Sequence, residues 1–416
     1  MGELTIAHVL AVPATSGFFA DDQAAIKAGA ARDGLAYVGA PLTPGFDAIR
    51  TPAEAVSVLL VLSDGHVAHG DCVSVQYAGV GGREPRLRAH ALAQVFTREV
   101  APRLVGTPVG DFRSTLALID GLANDIDGFG TAASYGLSQA LLDAAARRAG
   151  RTMADVVAAE WDLDPRLQAI PVYAQSGEER HSNVDKMILK EADSLPHGLI
   201  NHRSLVGENG RELIAYVRWV SERVEHLRRS DGYAPILHFD VYGTLGDVCD
   251  GDLERVAGVL VAMAEAARPF ALRVEHPLDA GSRDGQIREL AALRGRLAGR
   301  VEIVADEWAN TVDDIRLFNR ARAADMVQIK TPDLGSIHHV VEAVIDCQAH
   351  GVIAHIGGSC CETERSAQVS VHLALGAHAD QLLAKPGMGV DEGLSIVRNE
   401  MQRTLALSAA LTPSRT

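Results

Sequence analysis

The sequence predicts an α/β fold: a (β/α)8 TIM-type barrel over residues 166–416, preceded by an N-terminal α+β capping domain over residues 1–165. Three observations carry that expectation. The chain has 416 residues, too many for one ordinary core and enough for a barrel with a cap. From residue 171 onward, short apolar runs recur, each followed by a polar turn and then a helical pattern. Several of these runs close on a charged or polar residue, as strands do when they open into one shared mouth.

The first 165 residues read as mixed α+β. The apolar run 57–62 leads into Ser63, Asp64 and Gly65, a strand entering a turn. Residues 76–83 form a Gly-rich loop with neither GxGxxG spacing nor a strand–turn–helix frame, so no dinucleotide site is expected there. The loop reads equally as a surface turn or as a cover for substrate. From Leu87 the pattern is helical and ends in an Ala-rich stretch, 138–149, which Gly150 stops. The second part contains the runs 171–175, 198–200, 235–240, 270–275, 301–306, 326–330, 351–356 and 381–385. The second of them, just after Pro196 and His197, is the shortest. The helical pattern between runs is clearest at 252–267. Eight such units in about 240 residues fit a barrel, whereas a doubly wound open sheet would usually have fewer strands.

Composition narrows the function classes. Hydrophobic residues make up 47% and charged residues 22%, the balance of a globular chain without a disordered signature. The formal net charge of −15 argues against nucleic-acid and anionic-membrane partners, which need clustered Lys and Arg. It leaves a small anionic substrate open. The apolar stretch 256–267 falls short of a membrane span, and the first residues lack a basic n-region, so a signal peptide is not expected. The five cysteines, at 72, 249, 347, 360 and 361, fit no zinc or CxxC spacing. Reduced thiols in a cytoplasm are the expectation.

The chemistry is expected at the strand ends. Asp240, Glu275 and Asp306 close the third, fourth and fifth runs, so a barrel brings three carboxylates together. Like charges so close need a counter-cation, and an oxygen-only set suits a hard ion, Mg2+ first. Lys330 ends the sixth run. It reads either as a salt-bridge partner of those acids or as a general base kept unprotonated by the metal. A proton next to a carboxylate is barely acidic, because its removal makes a dianionic enediolate, so a cation and a base are needed together. His197, at the second strand, would face Lys330 across the ring. Gln175 and Gln328 read equally as structural amides and as donors to a substrate carboxylate. Gly357, Gly358, Ser359 and Cys360 follow the seventh run, where a Gly-rich turn can aim N–H groups at an anion. Cys360 and Cys361 read as packed thiols rather than nucleophiles, and His338 and His339 lack metal spacing.

At these residues the chain resembles the methylaspartate ammonia-lyases of the enolase superfamily. The likeness runs through Ser16 to Phe19, Gly70 to Cys72, the Gln76–Tyr77 loop, Ala174 to Gly177, Asn183 to Met187 and Leu195 to His197. It continues through Asp240 to Thr244, 328–335, Gly357 to Cys360 and 384–393. The resemblance implies an α+β cap on a barrel, a homodimer, and reversible elimination of ammonia from 3-methylaspartate to mesaconate, a step in glutamate degradation. It implies Mg2+ on Asp240, Glu275 and Asp306, with K+ as an activator. It makes Lys330 the base for the (2S,3S) substrate, and His197 a transition-state stabiliser that can serve as base on the other face. Gln175, Gln328, Ser359 and Cys360 would contact the amino diacid. Ser359 stands where the family usually has Thr, His276 where it has Gly, His355 for Tyr and Cys361 for Asn. These departures touch substrate range, not metal or base. The competing readings are a racemase or dehydratase of the same superfamily and a non-catalytic barrel that binds ligand. The former usually carries a Lys-x-Lys or a His–Asp pair, which is not evident at the expected strands.

Overall fold

The N-terminal part is built on an antiparallel sheet of three strands, β1 (Ile6–Asp21), β4 (Arg50–Leu62) and β5 (Val67–Val73), in the order β1-β4-β5. A small hairpin of β2 (Ala31–Asp33) and β3 (Ala36–Val38) projects from it. The structure, a computed structural model, describes residues 3–166, 168–387 and 389–411. Met388 of the 384–393 segment and residues 412–416 of the expected barrel domain lie outside the described residues. The 57–62 run is the end of β4, with Ser63 to Gly65 in the turn as expected. No run foretold β1. It holds Pro13 and shifts register between Thr15 and Phe19, which an edge strand tolerates because one side of its backbone needs no partner.

The helix Gly130–Ala149 lies on β5 at a distance only glycine allows. A Cβ on Gly70 would sit 2.3 Å from the Gly136 carbonyl oxygen, and a Cβ on Gly136 would sit 2.4 Å from Cys72 Sγ. Gly150 ends this helix in the left-handed conformation, with its N–H returned to Ala146 and Arg147.

Eight parallel strands close the barrel. They are β6 (Val172–Tyr173), β7 (Ser194–His197), β8 (Ile236–Asp240), β9 (Leu272–Glu275), β10 (Glu302–Ala305), β11 (Met326–Ile329), β12 (Ile353–Ile356) and β13 (Gln381–Leu383). β13 pairs with β6, so no edge is left. Helices on the outside bury one face each. The helix Leu253–Ala267 sets Val256, Leu260, Met263 and Ala267 inward at helical spacing. Its N-cap Asp252 accepts from the Glu254 and Arg255 N–H groups, a cap contributing about 1 kcal/mol.

Seven of the eight runs coincide with strands, and the second is corrected. The strand is Ser194–His197, and residues 198–200 lie beyond it. His197, Gly198 and Leu199 all have positive φ, which ends the extended chain at His197. Pro196 can sit within the strand although it lacks an N–H, and His197 becomes the strand's last residue.

The 76–83 loop is not a free surface turn. Gln76, Tyr77 and Arg83 are buried, and Asn310 donates to the Gly81 carbonyl at 2.7 Å. The loop lies over the C-terminal ends of the barrel strands.

Candidate active site

Strand ends concentrate the chemistry because successive parallel strands deliver their last residues to one mouth. Asp240 and Glu275 are the last residues of β8 and β9, and Asp306 follows β10 directly. All three are buried, and ligand oxygens from each lie within 4.8 Å of one another. Glu275 Oε2 and Asp306 Oδ1 accept no hydrogen bond. The nearest nitrogens are His238 Nε2, 3.2 Å from Glu275 Oε2, and Arg83 Nη2, 3.6 Å from Asp306 Oδ1. Carboxylate oxygens this deep without a hydrogen bond are costly, and an all-oxygen donor set fits a hard divalent ion. The electrostatics agree. Burial, then the charges of Asp240 and Asp306, push the Glu275 carboxyl well above its ordinary range. Burial, then Glu307, push Asp306 up to about 8, against the pull of Lys330 and Arg83.

Two nitrogen groups flank the acids. Lys330, just after β11, donates to Asp306 Oδ2 at 2.7 Å. Burial and Arg83 act to lower its pKa, but the Asp306, Glu307 and Asp333 carboxylates outweigh them and raise it. Without a cation on the acids, Lys330 is therefore an ammonium. On the other side, His197 Nε2 lies 3.3 Å from Asp240 Oδ2 and 3.4 Å from the Tyr242 hydroxyl. Its Nδ1 accepts the Leu199 N–H at 3.3 Å. A neutral ring in that position carries its proton on Nε2, facing the acids.

The remaining predicted residues join the same cavity. Gln175, Gln328, Ser359, Cys360, His197, Lys330 and Asp240 all line it. Gln328 donates to Glu275 Oε1. Ser359 Oγ accepts from the Gln76 and Cys361 N–H groups at 3.1 and 3.2 Å, which leaves its own proton to donate. Cys360 Sγ donates to Gln76 Oε1 at 3.2 Å, and burial pushes its thiol pKa well up, as befits a packed thiol. Among the described residues, the cysteines are all free and buried. His338 stacks on Phe112 with ring centroids 3.9 Å apart, away from the acids.

Sequence reading missed several groups here. Arg83 reaches from the loop to Asp333 at 2.6 Å, Glu307 at 3.4 Å and Asp306 at 3.6 Å. Glu307 also meets His276 Nδ1 at 3.0 Å. Tyr242, Tyr173 and Leu383 complete the wall. The pair of adjacent acids at 306 and 307 was a legible signal for Glu307, while nothing local marks Arg83.

Comparison with known proteins agrees with the geometry. The family model for the methylaspartate ammonia-lyase N-terminus matches residues 4–162, and that for the C-terminus matches residues 165–410. A methylaspartate ammonia-lyase from Clostridium tetanomorphum is 47% identical over 408 residues, covering 97% of this chain and 99% of that protein. A crystal structure of β-methylaspartase from that organism, a Mg complex, superposes with a TM-score of 0.91 at 47% identity, covering 98% of this chain and 100% of that one. The Citrobacter amalonaticus enzyme containing (2S,3S)-3-methylaspartic acid gives a TM-score of 0.94 at 48% identity, covering 97% and 99%. The muconate lactonizing enzyme of Pseudomonas fluorescens shares the fold at a TM-score of 0.65 and 17% identity, over 95% and 89% of the two chains.

Proposed function

The chain belongs to the methylaspartate ammonia-lyase family, and from that premise we propose how its residues carry out the reaction. It is a carbon–nitrogen lyase that eliminates ammonia from 3-methylaspartate to give mesaconate, reversibly. The observation that carries the mechanism is the trio of buried carboxylates on adjacent strand ends, with Lys330 on one side and His197 on the other.

Asp240, Glu275 and Asp306 would hold Mg2+. Bound there, the ion would offset both the charge that builds on a substrate carboxylate as the C3 proton leaves and the carboxylate charge that now keeps Lys330 protonated. Lys330 then takes the C3 proton of the (2S,3S) substrate. His197 would present its Nε2–H to the growing negative charge. To serve as base on the opposite face for the (2S,3R) isomer it would release the Leu199 N–H and take the Nδ1–H tautomer, which frees Nε2. Gln328 orients Glu275 and reaches the same substrate carboxylate. Gln175, the Ser359 hydroxyl and Cys360 receive the other carboxylate. The loop from Gln76 to Arg83 covers the site and keeps bulk water from the enediolate.

The same reading takes residues 1–165 as a cap and 166–416 as the catalytic barrel, with the chain working as a cytoplasmic homodimer in glutamate degradation and K+ as an activator. No helix of the described residues is long and apolar enough to cross a membrane. The test is direct. Incubation with 3-methylaspartate and Mg2+ should produce the ultraviolet absorption of a conjugated diacid. Chelation should abolish it, Mg2+ should restore it, and Asp240→Asn should weaken binding of the ion. Full turnover in metal-free buffer would sink the assignment.

A further inference from the structure

At the base of the loop that follows β12, and partly formed by it through Glu362, lies a second buried charge pair, which the reaction chemistry does not use. Lys385, which follows β13 by two positions, and Glu362 are both fully buried, and Lys385 Nζ lies 2.7 Å from Glu362 Oε1. Burying a charge pair completely is costly, and it persists where its remaining hydrogen bonds are filled. Here they are filled in a particular way. Lys385 Nζ also donates to the Gly357 carbonyl at 2.7 Å and to Thr331 Oγ1 at 3.1 Å. Glu362 accepts from Thr331 Oγ1 at 2.8 Å, from the Tyr135 hydroxyl at 2.7 Å and from the Ser359 N–H at 3.4 Å.

Three segments meet on this pair. Tyr135 comes from the cap helix Gly130–Ala149, Thr331 is the neighbour of Lys330, and Gly357 and Ser359 belong to the loop that carries Ser359 and Cys360 into the cavity. The loop lies so close that only glycine fits. A Cβ on Gly358, whose φ is +128°, would stand 2.1 Å from Glu362 Oε1 and 2.5 Å from Lys385 Nζ. One side of the loop is thus gripped at a carbonyl by Lys385 and at an N–H by Glu362.

We propose that Lys385 and Glu362 are positioning residues that clamp the Gly357–Cys360 loop, setting the Ser359 hydroxyl and Cys360 where they receive the substrate's second carboxylate. The inference rests on the reading of Ser359 and Cys360 as substrate contacts. The clamp acts on substrate binding through the loop and leaves the metal site, on β8 to β10, untouched.

The test compares Lys385→Met, Glu362→Gln and Gly358→Ala with the parent and with Ser359→Ala, each checked by circular dichroism. KM and kcat for (2S,3S)-3-methylaspartate are measured beside the Mg2+ dissociation constant from calorimetry. Ser359→Ala should raise KM about tenfold, as loss of one hydrogen bond to a charged group does. The clamp variants should raise KM at least as much while the Mg2+ constant changes less than about twofold. Adding Ser359→Ala to Glu362→Gln should then cost little more, because the hydroxyl is already misplaced. A KM unmoved by Ser359→Ala removes the substrate reading of the loop. If Ser359→Ala acts but the folded clamp variants keep the parental KM, or the two changes multiply independently, the clamp is refuted. Failure of all three clamp variants to fold would also overturn it, by making the pair a folding device.

Discussion

Lys330 and His197 reach the acids from opposite sides of the ring, Lys330 through Asp306 and His197 through Asp240. β7 and β11, which deliver them, are four places apart in the eight-strand order and so face each other. A substrate whose carboxylate lies among Asp240, Glu275 and Asp306 would present one face of C3 to each. Replacing Lys330 by Ala should therefore abolish turnover of the (2S,3S) isomer by several orders of magnitude, roughly the 10²–10⁴ of a lost general base, and spare more of the (2S,3R) reaction. His197→Ala should suppress the (2S,3R) reaction more strongly and sharpen diastereoselectivity. Steady-state rates of both variants on both isomers decide it. Equal depression of the two isomers by His197→Ala would leave His197 only its role as an Nε2–H donor.

At the scale of elements, the loop over the mouth is held by charge at Arg83 and by neutral hydrogen bonds from Asn310 to the Gly81 carbonyl and from Asn201 to the Tyr77 hydroxyl. The cavity under it is about 30 Å3, too small for a diacid unless some of the groups that line it shift. Gly79, Gly81 and Gly82 all have positive φ, which only glycine adopts without strain. Charge holds the loop through Arg83 on Asp333, Glu307 and Asp306. Hydrogen bonds between charged groups contribute about 1.5–3 kcal/mol, so Arg83→Met should raise KM by about 10- to 100-fold. The loop should also become a faster site of limited proteolysis. Parental KM and parental cleavage rate together would mean that the loop is held by its other contacts.

For the molecule as a whole, the acid trio makes stability depend on pH and metal. Asp306 is pushed up to about 8, chiefly by burial, and Glu275 well above its ordinary range by burial and then Asp240. Unfolded carboxyls titrate near 4. An acid whose folded pKa is raised contributes stability that is complete below the unfolded pKa and lost as pH rises through the folded one. Metal-free protein should therefore lose stability as pH rises from about 4 to about 8 on account of Asp306, with Glu275 acting in the same direction. Mg2+ at a hundred times its Kd should add about 2.7 kcal/mol. The difference in Tm between Mg2+ and EDTA, followed from pH 6 to pH 8.5, should widen as pH rises. A difference that stays flat or narrows would mean that the carboxyls do not ionise as the cation binds.

Local pattern alone made seven of the eight barrel strands and the acids at the ends of three of them legible. An apolar run of a few residues followed by a turn and a helix is visible without knowing any partner, and so is the acid that ends it. That is why Asp240, Glu275, Asp306 and Lys330 were legible, and why helix stops such as Gly150 were. Tertiary structure alone decided the rest. β1 is a strand because β4 offers it an edge, and β7 ends at His197 because the backbone turns to positive φ there. Arg83 meets Asp333, and Lys385 meets Gly357 and Glu362, across stretches of chain that share no period. A buried ion pair is stable only where packing excludes water and fills every remaining hydrogen bond, and such conditions exist only once the whole chain has closed around the pair.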